Sequence, residues 1–193
     1  EGMFQMNVVG PNHTPAVNDV YMDANGDGDK NWETLVVGGH GAGAKAYFAL
    51  RATDPTELTE ASAASIAALI EAQVQAGIPA NQIALAGFSQ GGVIALHLGL
   101  AYPQKLAGIM ALSTYLHDHE NIATRLDFAN VETPIFMAHG ISDTMIPITR
   151  AITARETLLG LNYAVQWHEY AMGHQVCPQE IQDIATWLNQ TFP

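Results

Sequence analysis

The sequence predicts an α/β protein built on a parallel sheet, and three observations carry that prediction. From Thr56 onward, segments with helical period alternate with strand-like segments to the end of the chain. The strand-like segments are short, unbroken apolar runs such as IALAG and LAGIMAL, the pattern of strands covered on both faces. A Gly-x-Ser-x-Gly motif, Gly87-Phe88-Ser89-Gln90-Gly91, falls between one such run and a helix. With 193 residues, 48% of them hydrophobic and only 13% charged, the chain has material for one globular domain over residues 1–193, and disorder is excluded as its main state.

The elements follow in order. Residues 1–55 are turn-rich, with Gly10-Pro11-Asn12, Pro15 and the polar stretch Asp23–Asp29, and short strands are expected only at Phe4–Val9 and Thr34–Val37. Glu57–Gly77 spaces Leu58, Ala61, Ile66, Leu69, Ile70 and Val74 with helical period and ends at Gly77, two residues before Pro79. Ile83–Gly87 reads as a strand, Gly91–Ala101 as a helix stopped before Pro103, and Leu106–Leu112 as a second buried strand. Pro134–His139 supplies a third strand, Arg150–Leu159 a helix, Ala164–Glu169 a fourth strand and Pro178–Asn189 a final amphipathic helix.

Charge narrows the partners. Seven basic residues against nineteen acidic ones give a formal net charge of -12 with no basic run, which argues against nucleic acid and anionic membrane surfaces. No apolar stretch is long enough to span a bilayer, so no stable membrane insertion is expected, and Glu1–Gly10 lacks the basic flank and apolar run of a signal peptide. A soluble, cytoplasmic protein is the expectation. Cys177, the one cysteine, has no internal disulfide partner.

A serine at the tip of a tight strand-to-helix turn is pushed out of the sheet, and flanking glycines relieve the crowding. The N-terminus of the following helix then aims free N–H groups and its dipole at any oxyanion formed beside Ser89. Such a serine needs a base and an orienting carboxylate later in the chain. Asp143, in the loop after the PIFMAH strand, and His174, between the last strand and last helix, stand where a parallel sheet presents its functional groups. His13 and His40 precede the serine, His97 lies within a helix, His168 lies on a strand, and His139 is placed to brace the aspartate loop. His117-Asp118-His119-Glu120 matches no metal-ligand spacing and reads as a solvated loop. Asp23–Asp29 spaces oxygen ligands as a calcium loop does, but Thr34 and Lys30 stand where an acidic and an apolar residue are needed, so a polar turn is the better reading and no metal is predicted.

Four blocks, IALAGFSQGG, LAGIMALSTYL, TPIFMAHGISDTMIP and WHEYAMGHQVCPQEIQDIATWL, together resemble the phospholipase/carboxylesterase family of α/β-hydrolases, which includes bacterial carboxylesterases and acyl-protein thioesterases. The resemblance covers residues 56–193. It implies the α/β-hydrolase fold, a mostly parallel central sheet with helices on both faces, here with the N-terminal strands reduced or rearranged. It implies a Ser89–His174–Asp143 triad cleaving carboxylic esters through an acyl-enzyme, no cofactor, and the Gln90 N–H as one oxyanion donor. His40-Gly41-Ala42-Gly43-Ala44 fits the family's H-G-x-G-A pattern and makes Ala42 the candidate second donor, although only about a dozen residues separate it from the crossover helix, where the family has a helix, a strand and a long loop. A homodimer is compatible with the same resemblance.

Leu112, Tyr115, Leu116, Ile146, Met172 and Val176 lie in or beside the loops expected around Ser89 and are candidate walls of an apolar acyl pocket. With no basic cluster nearby, short to medium neutral acyl esters fit better than highly anionic substrates. The expected activity is that of a serine carboxylesterase. Two other readings stay open: a catalytically impaired hydrolase-fold binding protein, suggested by the unusual N-terminus, and an acyl-thioesterase or lysophospholipase.

Overall fold

In a computed structural model, residues 16–22, 31–40, 44–49 and 58–192 are described. The expected strand Phe4–Val9, the calcium-like stretch Asp23–Asp29 and Ala42 lie outside them. Three strands, β1 (Ala16–Met22), β2 (Asn31–His40) and β3 (Ala44–Ala49), form an antiparallel sheet in that order. β2 contains the expected Thr34–Val37, while β1 and β3 are strands that the turn-rich sequence did not announce. In β1 the polar pair Asn18-Asp19 interrupts the apolar pattern, and its register with β2, Ala16 opposite Val37 and Met22 opposite Asn31, supplies what local propensity does not.

The second sheet is parallel and runs β4 (Ala84–Phe88), β5 (Gly108–Leu112), β6 (Ile135–Gly140) and β7 (Val165–Tyr170), in chain order. Its connections carry α1 (Leu58–Gln75) ahead of β4, then α2 (Gln90–Ala101) and α3 (Ile148–Gly160), with α4 (Pro178–Thr191) closing the chain. The predicted strands and helices from Glu57 onward match these within a few residues at each end.

Because side chains alternate across a strand, each strand feeds two cores. Leu85, Ile109, Ala111, Ile135 and Met137 pack toward Ile66 and Ile70 of α1, Leu96 and Leu100 of α2, and Ala154 and Leu158 of α3. Met110, Leu112, Phe136 and Ala138 pack toward Ile184, Trp187 and Leu188 of α4. Helices therefore cover both faces, which is why the central strands β5 and β6 are buried throughout, while the edge strand β7, VQWHEY, is largely half-buried or exposed. Leu85, Ile109 and Ile135 are wholly buried, and such burial stabilises by about 1.5–3 kcal/mol per side chain.

One buried polar residue ties α2 to β5. The Asn130 amide donates to the carbonyls of Tyr102 (2.7 Å) and Gln104 (3.0 Å), and its oxygen accepts from the Leu106 N–H (2.9 Å) and the Thr133 hydroxyl (2.8 Å). All four parallel strands end at one edge. Ser89 follows β4, Ser113 and Thr114 follow β5, the Asp143 loop follows β6, and His174 follows β7. Among the described residues no helix is long and apolar enough to cross a membrane.

Candidate active site

Ser89 joins β4 to α2 with φ 54° and ψ -121°, a left-handed backbone that costs a non-glycine residue about 1–3 kcal/mol. Packing and hydrogen bonds enforce it. A Cβ on Gly87 would sit 2.1 Å from the carbonyl carbon and oxygen of Gly91, so only glycine lets the chain reverse this tightly. The Ser89 N–H donates to the Leu112 carbonyl at 2.8 Å, and the Ser89 carbonyl accepts from the Thr114 hydroxyl (2.7 Å) and the Gly92 N–H (3.0 Å). Although Ser89 holds the N-cap position of α2, its hydroxyl makes no cap bond and turns to His174 instead. Gln90 opens the helix, where an N–H has no intrahelical acceptor.

The partners come from loops after β6 and β7. Ser89 Oγ lies 2.9 Å from His174 Nε2, and His174 Nδ1 lies 2.7 Å from Asp143 Oδ2. A carboxylate can only accept, so the network assigns the imidazole proton to Nδ1, and the Ser89 O–H donates to Nε2. Asp143 is buried, and its second oxygen accepts from the N–H groups of Met145 and Ile146, both at 2.9 Å. Burial opposes ionisation of Asp143, but the bonds from Ile146, His174 and Met145 outweigh it and hold the carboxyl below the usual carboxylate range.

A second imidazole supports the aspartate loop. His139, fully buried at the end of β6, donates from Nε2 to the Ile146 carbonyl at 2.9 Å, and the same nitrogen stands 3.4 Å from Asp143 Oδ2. The loops themselves touch backbone to backbone. A Cβ on Gly140 would meet the carbonyl oxygens of Gly173 (2.3 Å) and Met172 (2.4 Å), and the Ser142 N–H donates to the Met172 carbonyl at 3.0 Å. The Phe88 ring lies 4.8 Å from the His174 imidazole, tilted by 50°.

The expected pocket residues divide. Leu112 and Leu116 are buried in different cores on opposite faces of the sheet, so packing takes up both and they do not form one wall. Ile146 and Met172 are buried in the Asp143 and His174 loops, while Tyr115 and Val176 are half-buried. Cys177 packs against the α4-side core. Sequence reading missed Thr114, which carries no signal beyond its place after β5, and Arg150, whose guanidinium carbon lies 3.5 Å from the centre of the Tyr115 ring, thirty-five positions away in sequence. Among the described residues no group of three His, Cys, Asp or Glu side chains could hold a metal ion, and Asp118, His119 and Glu120 are exposed.

Chemically, a hydroxyl bonded to a neutral imidazole that a buried carboxylate orients can lose its proton as it attacks an electrophilic carbon. A helix N-terminus one residue away favours the negative charge that attack creates.

A sequence profile of the family described as Phospholipase/Carboxylesterase matches residues 33–192, beginning ahead of Thr56 and taking in His40–Ala44. The chain is 38% identical over 128 residues to acyl-protein thioesterase 1 of Gibberella zeae, covering 65% of this chain and 54% of that protein. It is 40% identical over 129 residues to acyl-protein thioesterase 1 of Neurospora crassa, covering 65% and 52%. The chain thus spans about half the length of these curated relatives. Among solved structures, a phospholipase/carboxylesterase from Dyadobacter fermentans superposes with a TM-score of 0.58 at 29% identity, over 70% of this chain and 68% of that one.

Proposed function

The chain belongs to the phospholipase/carboxylesterase family, and from that premise we propose that it is a serine hydrolase cleaving carboxylic esters of short to medium acyl chains. One observation carries the reading: the unbroken hydrogen-bonded chain from Asp143 through His174 to Ser89, at 2.7 and 2.9 Å, ending on a strained turn. In the proposed mechanism His174 takes the Ser89 proton as the hydroxyl oxygen attacks the ester carbonyl. The Gln90 N–H and, from outside the described residues, the Ala42 N–H stabilise the oxyanion. His174 then protonates the departing alcohol, and water hydrolyses the acyl-enzyme by the reverse proton path, while Asp143 stays ionised and holds the imidazole tautomer.

The test is hydrolysis of p-nitrophenyl valerate by the full chain beside its Ser89→Ala variant. Loss of activity in a variant that unfolds at the same temperature as the parent supports the reading. Equal activity in both overturns it.

The names of the two curated relatives favour a second reading within the same chemistry, an acyl-thioesterase. The attack is the same and only the leaving group differs. Comparing kcat/KM for an oxygen ester and a thioester with one acyl chain decides between them.

A further inference from the structure

We infer that Arg150, held over the Tyr115 ring, recognises a single anionic group, a carboxylate or a phosphate, on an ester substrate of this site. The inference rests on the ester-hydrolase reading above and extends it to a substrate class.

Arg150 differs from the other cations whose side chains are described. Lys105 pairs with Glu132 at 3.1 Å, Arg125 with Glu60 at 2.7 Å and Arg155 with Glu156 at 3.7 Å. Arg150 makes no ion pair with a described residue, in a chain with nineteen acidic side chains. Its position is also unfavourable for a cation. It is the third residue of α3, in the first turn, where the helix dipole repels positive charge. The helix terminus therefore gives no reason for a positive charge here, and the stack on Tyr115 holds the face of the guanidinium without pairing its charge.

Placement supplies one. α3 begins five residues after Asp143, and Tyr115 follows Thr114, whose hydroxyl holds the Ser89 carbonyl at 2.7 Å. The guanidinium thus stands at the sheet edge that carries Ser89 and His174. At 3.5 Å from the ring centre it is fixed by its face, and stacking leaves its in-plane N–H groups for a planar, bidentate acceptor. Arg150 is exposed to solvent, so such an acceptor can reach it. The absence of a basic cluster still disfavours highly anionic substrates, and one fixed guanidinium matches one anionic group.

The test compares three esters on the full chain: p-nitrophenyl valerate, mono-p-nitrophenyl glutarate, which has the same acyl length with a terminal carboxylate, and 1-butyryl-glycerol 3-phosphate, which carries its anion on the leaving group. In Arg150→Gln the kcat/KM ratio of an anionic ester to valerate should fall about tenfold, through KM, the loss of one charge-assisted contact. The ester that shows the fall, glutarate or the glycerol phosphate, locates the anion on the acyl or the leaving-group side. Arg150→Lys should recover part of it, and Tyr115→Leu, which frees the guanidinium, should weaken the preference less than Arg150→Gln does. Ratios unchanged in Arg150→Gln for both anionic esters overturn the inference while leaving the hydrolase reading standing. No Ser89-dependent turnover of any of the three removes the hydrolase reading, and this inference with it.

Discussion

The two halves of the site are held by different physics. Ser89 is fixed by sterics: a left-handed backbone, a glycine two residues earlier that no larger residue can replace, and carbonyl and amide bonds to Leu112 and Thr114. Asp143 and His174 sit on loops with ordinary backbone angles and are fixed by hydrogen bonds, from Met145, Ile146 and each other, with His139 behind them. Strain is all-or-none, whereas a hydrogen-bonded loop can lose one contact and keep the rest. Substitutions that force a side chain into a backbone contact, at Gly87 beside the serine or at Gly140 between the loops, should therefore fail abruptly, and those that remove one supporting hydrogen bond from the Asp143 loop by degrees.

The largest expected effect tests the one loop bond that is not expendable. Asp143→Asn removes the acceptor that holds the His174 tautomer, and kcat for ester hydrolysis should drop about 10⁴-fold with little change in KM. A loss under tenfold would mean that the carboxylate is incidental.

Gly87→Ala probes the steric half. The added methyl must displace the first turn of α2, so we expect a stability loss of about 1–3 kcal/mol in denaturant unfolding, together with loss of activity. Retained activity would show that the turn can relax and would erase the contrast. His139→Leu probes the graded half. It deletes the Nε2–H bond to Ile146 while leaving the bonds from the Met145 and Ile146 N–H groups, and kcat should fall about tenfold with KM steady, the size of one lost hydrogen bond.

The smallest effect is on the pH dependence of stability. The folded pKa of Asp143 lies below its ordinary value, so its contribution is complete above the unfolded carboxylate value of about 3.9 and is lost as the pH falls through the lower folded value. The thermal midpoint of Asp143→Asn should accordingly vary less with pH across that acid range than that of the parent. Parallel curves would contradict the assignment.

The serine half was the more legible in sequence because its determinants are adjacent. Gly87, Ser89 and Gly91 lie within five positions, between an apolar run and a helix. The order of α1 to α4 and β4 to β7 was legible for a related reason: burial on both faces writes β5 and β6 as local apolar runs, and the helices between them carry their own period. What failed to show depends on distant pairing. β1 and β3 exist by their register with β2, not by pattern. Leu112 and Leu116 sit four residues apart, but the chain passes from one face of the sheet to the other between them, so nearness in sequence did not make them neighbours in space. The stack of Arg150 on Tyr115 and the three bonds of Asn130 to Tyr102, Gln104 and Leu106 join residues that no spacing rule connects.

The contact of Gly140 with the backbone of Met172 and Gly173 has a consequence for mutational tolerance. The space for a side chain is already filled by two carbonyl oxygens, so position 140 should return a single amino acid from a saturation library selected for folding. Ile141, the next residue and half exposed, should return many. The boundary between an unchangeable and a freely changing position would then lie within a single peptide unit.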